Sequence, residues 1–185
     1  MTTAEGCVLR HAQSFQDALH CVTQAKIKHN GWALESNLAV AFQHGQAVPL
    51  RRSGRRSPLF FEVAQGYRVF REPEPDDVPQ YGLSVTYYEY RIMADDGREM
   101  IVFHWHPGRG GVNWPHLHVR SLMIDSSRHD LGRRFSTLHL PTSRVSIEQV
   151  VEALITQFDV TPLRADWQRI LDAGQSAFKE SRKWA

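Results

Sequence analysis

This sequence has few cysteines, no long apolar run and little net charge. Its two cysteines, Cys7 and Cys21, form no C-x-x-C motif, so reduced thiols are the simplest interpretation. No apolar run is long enough to cross a bilayer, and the N-terminal segment lacks the apolar core of a secretory signal. The formal net charge of +2 excludes a polycation that coats nucleic acid indiscriminately. We therefore expect a cytoplasmic protein with no membrane partner.

Several nucleotide-binding and hydrolase signatures are also missing. The sequence contains no Walker lysine loop, no dinucleotide-binding glycine pattern and no G-x-S-x-G elbow. Their absence argues against an ATPase, a Rossmann dehydrogenase and a serine hydrolase. The 185 residues, 42% hydrophobic and 23% charged, are typical of a globular domain. We expect a single domain over residues 1–185, with a seam, if there is one, at the proline-rich connector 71–80.

Histidine is concentrated in one stretch, residues 103–119, which holds four of the ten histidines. They form two His-x-His pairs, His104 with His106 and His116 with His118. Alternate side chains of an extended segment share a face, so each pair is a two-pronged fork. Glycines in the connection between the pairs let the chain turn back, so that four imidazoles can face one another.

A cluster of imidazoles suits two kinds of chemistry. Three or four histidines could hold a divalent metal of the zinc or manganese class that activates water. Cross-strand pairing must then place both forks on one face, because a shift of one residue turns a fork away. In a metal-free alternative, two histidines act as general base and general acid while Arg109 or Arg120 offsets charge on a phosphate. In a third interpretation, the histidines lie on the solvated face of a hairpin and have neither a metal-binding nor an acid–base role.

Arginine is concentrated in a Gly-, Pro- and Ser-rich loop at residues 43–57. Guanidinium groups match phosphate oxygens, and five arginines are candidate substrate contacts: Arg51, Arg52, Arg55, Arg56 and Arg109. A solvated loop without a ligand is the alternative interpretation of the run. Glu89, Glu99 and His139 are weaker site candidates, because acids beside a hairpin and a lone histidine at a strand end are more often structural.

Periodicity predicts an α+β fold. Helical spacing predicts helices over residues 15–28, over 147–158 after a Ser146 capping box, and from Thr161-Pro162 onward. Strand-like segments are 32–42, 59–63, 67–70, 81–93, 100–106, 116–124 and 135–140, with Asp95-Asp96-Gly97 as a hairpin turn. The expected architecture is a mainly antiparallel sheet of about five to seven strands, packed by an N-terminal helix and two C-terminal helices.

Four segments follow one another in a recognisable order: YEYR (residues 88–91), FHWHP (103–107), PHLHV (115–119) and SIEQVVEAL (146–154). This order resembles the TumE-like toxin components of bacterial toxin–antitoxin loci over roughly residues 87–158. The resemblance implies a growth-inhibiting protein that acts on nucleic acid and is neutralised by an antitoxin protein.

Two functions follow as hypotheses. The first is a nuclease-type hydrolase that cleaves phosphodiesters, RNA more than DNA, with five catalytic candidates: His104, His106, His116, His118 and Arg120. The same four histidines are the candidate metal ligands, and RNA is favoured because its 2′-hydroxyl can serve as the nucleophile. The second is a regulatory module without catalysis that binds nucleic acid or protein through the arginine loop. A homodimer is also considered.

Overall fold

The computed structural model describes residues 3–54, 56–72, 80–108, 112–119 and 139–180. Within these residues the helices are α1 (Ala4–Leu19), α2 (Ile147–Gln157) and α3 (Trp167–Glu180). The strands are β1 (Ile27–His29), β2 (Leu38–Phe42), β3 (Val48–Leu50), β4 (Leu59–Glu72), β5 (Gln80–Met93), β6 (Glu99–Trp105), β7 (His116–Val119) and β8 (Leu140–Pro141).

All of these strands join one antiparallel sheet. Its order is β1-β2-β4-β5-β6-β7-β8, and β3 pairs with β4 beside this path. The predicted α+β class, the antiparallel sheet and the placement of the helices are confirmed. The described sheet has eight strands rather than five to seven, because the short strands β1 and β3 were not predicted.

The three helices cover one face of the sheet. Phe15 of α1 lies against Tyr90 of β5, and Val150 and Leu154 of α2 are buried in the same core. Because side chains alternate along a strand, the neighbours of Tyr90 on β5 point the other way. The sheet face that points away from the helices is called the site face below.

Local sequence signals explain where the helices begin. The Thr3 hydroxyl accepts a hydrogen bond from the Gly6 amide at the start of α1. The predicted capping box at α2 is present, with Ser146 and Gln149 each accepting from the other's backbone amide. Burial of Val8, Phe15 and Leu19 then aligns one stripe of α1 with the sheet.

Several predicted boundaries were wrong. The first helix lies at residues 4–19 rather than 15–28, because its N-cap is Thr3. The predicted strand 32–42 shortens to β2, and the predicted loop 43–57 contains β3. The segments 59–63 and 67–70 are one strand, β4, in which Gly66 sits at a register shift rather than at a break. The last helix begins at Trp167 rather than at Thr161.

Some predictions fall on parts of the chain that are not described. The connector residues 73–79, the predicted strand beyond Val119 and most of the segment 135–140 lie outside the described residues. On either side of the connector, Glu72 pairs with Gln80, so the flanking strands are neighbours in one sheet. Within the described part of the chain, no helix combines the length and apolar character that crossing a membrane requires.

Candidate functional site

Strand register brings the two histidine forks onto one face. His104 pairs with His116 across β6 and β7, and Val102 pairs with His118 in the next row. On the other side of β6, Glu89 of β5 pairs with His104. Directly paired residues of neighbouring strands present their side chains to the same face. Glu89, His104 and His116 therefore form one row across three strands of the site face.

Three imidazole nitrogens converge in what we call the first donor set: His104, His116 and His118. Nε2 of His116 lies 3.1 Å from Nδ1 of His104 and 3.1 Å from Nε2 of His118. Nδ1 of His116 donates to the Trp114 carbonyl oxygen at 2.8 Å. In a neutral ring that bond leaves Nε2 without a proton, so its lone pair points into the cluster.

A carboxylate and two imidazoles form the second donor set: Glu89, His104 and His106. Oε2 of Glu89 lies 3.5 Å from Nε2 of His104 and 3.9 Å from Nε2 of His106. The other oxygen of Glu89, Oε1, forms an ion pair with Arg91. Each donor set has ligand atoms that lie within 4.8 Å of one another.

The cluster is only partly exposed to solvent, and this shifts its acid–base properties. The side chain of Glu89 is 23% exposed, those of His104 and His106 are 26% and 18% exposed, and His116 is 3% exposed. Burial, helped by repulsion from the neighbouring imidazoles and Arg91, lowers the pKa of His104 to about 4. Burial raises the pKa of Glu89, and the attraction of Arg91 opposes that rise. His104 is therefore neutral at pH 7, the form in which an imidazole binds a metal.

Two further rings border the donor sets. His139, just before β8, lies 4.9 Å from His116 and 4.5 Å from His118 between ring centroids. Tyr87 stacks on His106 with centroids 4.8 Å apart and an angle of 18° between the ring planes. Among the described residues, the nitrogens of His139 do not belong to a converging donor set. The rings of His139 and Tyr87 thus pack against opposite ends of the histidine cluster.

A cleft of about 500 Å³ adjoins the second donor set through His106 and Tyr87. Asn37, Arg68 and Arg144 also line it. Arg144 lies over the Trp105 ring, 4.1 Å from its centroid. Arg68 reaches Asn37 at 3.4 Å and Glu35 at 4.0 Å, and its side chain is 46% exposed. The cleft thus offers two cations beside the histidines.

The predicted arginine loop lies elsewhere. Arg52 donates to the Phe158 carbonyl oxygen at 2.8 Å, and both Arg52 and Arg56 pair with Asp159. Leu59, the first residue of β4 after this loop, lies five residues along the strand from Ala64, which is in the row of Glu89 and His104; this is about 17 Å at the rise of a strand. Arg52 and Arg56 therefore contact the segment after α2 and not the histidines.

The remaining predicted residues divide into two groups. Arg51 is exposed, and its carbonyl oxygen accepts a hydrogen bond from the Thr161 amide. Arg55, Arg109 and Arg120 lie outside the described residues. A role of these arginines as substrate or catalytic contacts stays a prediction.

The site also includes residues that were weak candidates from the sequence, or were not candidates at all. Glu89 had a usable signal, because Tyr87, Glu89 and Arg91 alternate along a strand that leads through a hairpin into the first histidine fork. Arg68 and Arg144 had no such signal, since they reach the cleft from β4 and from the loop before α2. His139 depends on the pairing of β7 with β8, which brings a distant segment to the second fork.

The donor chemistry fits a divalent transition metal. Two ligands held at about 2.0–2.1 Å in a tetrahedral site lie about 3.4 Å apart, and Nε2 of His116 lies 3.1 Å from each of the other two nitrogens of the first donor set. The Trp114 carbonyl supplies the outer hydrogen bond that orients a metal-binding imidazole. Imidazole nitrogens with one carboxylate are ligands typical of zinc, manganese or iron.

Comparison of this chain with protein-family models, with curated proteins and with solved structures gave no match.

Proposed function

We propose that this protein is a metal-dependent hydrolase that cleaves phosphodiester bonds, with RNA as its substrate. The convergence of three imidazole nitrogens from His104, His116 and His118 carries the proposal. A divalent cation bound there would supply Lewis acidity and lower the pKa of a water that it coordinates. Three protein ligands leave a coordination position open, which distinguishes a catalytic centre from a closed structural one.

The cleft supports a phosphate-bearing substrate. Arg68 and Arg144 place two guanidinium groups in the same cleft as His106, and guanidinium forks bind phosphate oxygens in a bidentate manner. Tyr87 adds an aromatic wall of the kind on which unpaired bases stack. The chain's own residues would thus hold the polymer backbone on one side of the histidines. Arg68 and Arg144 replace the arginine loop as the proposed contacts.

The test is cleavage of a fluorescent single-stranded RNA and of the matching DNA by the full chain, with and without EDTA. We expect metal-dependent cleavage of RNA that falls at least about a hundredfold in His116→Ala/His118→Ala and in His118→Ala alone. His44→Ala, which removes an exposed histidine in the turn after β2, should cleave as the wild type does. Melting curves check that each variant is folded.

Each result has a distinct meaning. Unchanged cleavage in the histidine variants would reject the site. Cleavage that resists EDTA but needs the histidines would replace the metal with acid–base catalysis by imidazoles. Salt-sensitive RNA binding without cleavage, retained in the histidine variants and lost in Arg51→Ala/Arg56→Ala, would instead identify a binding module.

The cleft has its own test. Arg68→Ala/Arg144→Ala should raise KM about tenfold or more with a smaller change in kcat, because the arginines bind the substrate backbone rather than the reacting atoms. A change in kcat alone would remove the arginines from substrate binding.

The resemblance to TumE-like toxin components adds a cellular proposal. Induced expression of the wild-type chain in bacteria should slow growth, and the His116→Ala/His118→Ala variant at equal protein level should not. An antitoxin partner would restore growth on co-expression. Equal growth with both chains would reject the toxin role while leaving the enzymatic proposal to the cleavage assay.

A further inference from the structure

We propose that the centre is dinuclear, with the His104 ring shared between two metal ions. Nδ1 of His104 belongs to the first donor set, 3.1 Å from Nε2 of His116. Its opposite nitrogen, Nε2, belongs to the second donor set, 3.5 Å from Oε2 of Glu89. The second site presupposes the metal role of the first donor set proposed above.

The spacing in the second donor set is wider than hydrogen bonding requires. N–H···O bonds to a carboxylate are about 2.7–2.9 Å long, whereas Oε2 of Glu89 lies 3.5 Å from His104 and 3.9 Å from His106. Ligand atoms around one tetrahedral metal lie about 3.4 Å apart at ordinary bond lengths. Both distances from Oε2 of Glu89 are thus closer to the separation of ligand atoms around one cation than to a hydrogen bond.

Arg91 orients the carboxylate of Glu89 for metal binding. Oε1 of Glu89 pairs with the guanidinium of Arg91, which leaves Oε2 directed at the two imidazoles. Arg91 is itself held by Glu62 at 2.9 Å and by Glu99 at 3.4 Å. Such outer contacts fix the direction of a ligand oxygen before a metal arrives.

Charge on the site face also favours a second cation. Around Arg91 stand three carboxylates, those of Glu62, Glu89 and Glu99, against one guanidinium. When both nitrogens of His104 bind metal, the single N–H proton of the neutral ring passes to solvent and the ring becomes an imidazolate. The two ions would lie about 6 Å apart, two metal–nitrogen bonds of about 2.0–2.1 Å plus the width of the ring.

The test counts metal ions in the full chain. Apoprotein is loaded with zinc, freed of excess metal, and its zinc per chain is measured by elemental analysis and native mass spectrometry. We expect two ions in the wild type, one in Glu89→Gln/His106→Ala, and two in the control Glu152→Gln, which removes an exposed carboxylate of α2 away from the sheet. Melting curves check that the variants are folded.

Copper gives a second readout that does not depend on activity. With copper(II) in both sites, spin coupling through the His104 ring should weaken the ordinary copper resonance. Glu89→Gln/His106→Ala, which keeps one copper, should regain an isolated copper signal of full intensity.

The outcomes separate the second site from the proposed function. One ion in the wild type, lost in His118→Ala and kept in Glu89→Gln/His106→Ala, overturns the dinuclear centre and leaves the proposed function intact. Two ions that both remain in Glu89→Gln/His106→Ala, or two uncoupled copper ions, overturn the shared ring. No bound ion in the wild type overturns both proposals.

Discussion

The side-chain amide of Gln65 donates a hydrogen bond of 2.7 Å to the Tyr90 hydroxyl, inside the core and away from solvent. Nε2 of His11 in turn donates to Oε1 of Gln65 at 2.7 Å. One buried amide thus satisfies polar groups from a helix and from a neighbouring strand. It ties α1 to the middle of the sheet.

Replacing Gln65 with leucine should lower the free energy of unfolding by about 1–3 kcal/mol, because His11 and the Tyr90 hydroxyl lose a buried partner. Tyr90→Phe should also destabilise the fold. The double variant should cost less than the sum of the two, since both ends of one bond are then apolar. Urea unfolding of the four proteins measures the coupling, and strictly additive costs would contradict the network.

Stability should fall as the pH drops below about 6.5. Burial lowers the pKa of His11 from 6.5 to about 4, so between these values the unfolded chain binds a proton that the folded chain does not. The contribution of His11 is therefore fully present above pH 6.5 and is lost as the pH falls toward 4. The slope is at most about 1.4 kcal/mol per pH unit for one proton. His11→Gln should reduce the measured slope by about one proton, and an unchanged slope would contradict the assignment.

Gly66 is required by the ring of Tyr87. A Cβ at position 66 would overlap Cε1 and Cδ1 of Tyr87, whose ring stacks on His106. Gly66→Ala should therefore cost about 1–3 kcal/mol of overpacking and displace the ring from the histidine cluster. In the Tyr87→Ala background the same change should cost much less. Thermal unfolding of the two pairs measures the difference, and an equal cost in both backgrounds would rule out this cause.

The start of α2 depends on one hydroxyl. Ser146, 1% exposed, accepts from the Gln149 amide as the helix N-cap. Ser146→Ala should lower the free energy of unfolding by about 1 kcal/mol. Ser143→Ala, an exposed serine in the same loop, is the matched control and should leave stability nearly unchanged. Equal effects of the two changes would show that the cap contributes little.

Period-two patterning accounts for what could be predicted of the site. Alternation placed His104 with His106 and His116 with His118, and the pairing of His104 with His116 puts both forks on one face. The same rule applied to β5 would have added Glu89. Arg68 and Arg144 could not be found this way, because their approach to the cleft depends on how distant segments pack.

The arrangement of helices and sheet could be predicted from the sequence, whereas the first and last residues of single elements were predicted less well. Strong periodicity identified α2 and β5, whereas β3 is three residues long and includes a proline, which an edge strand tolerates. The glycine in β4 was interpreted as a break because a strand interior rarely favours one. Glycine is needed there because the Tyr87 ring, on the neighbouring strand, occupies the space that a Cβ would fill.

The register shift opposite Gly66 links the core to the histidines. Tyr87 pairs with Gly66 and Val85 with Tyr67, so Thr86 is an extra residue in β5. This residue lets Leu83 and Val85 pack against the core while Tyr87 and Glu89 project from the other side. If Thr86 paired in a regular ladder instead of being an extra residue, alternation would place Leu83, Val85, Tyr87 and Glu89 all on one face. A single extra residue thus lets odd-numbered side chains of one continuous strand pack against the core in its first half and belong to the histidine site in its second half.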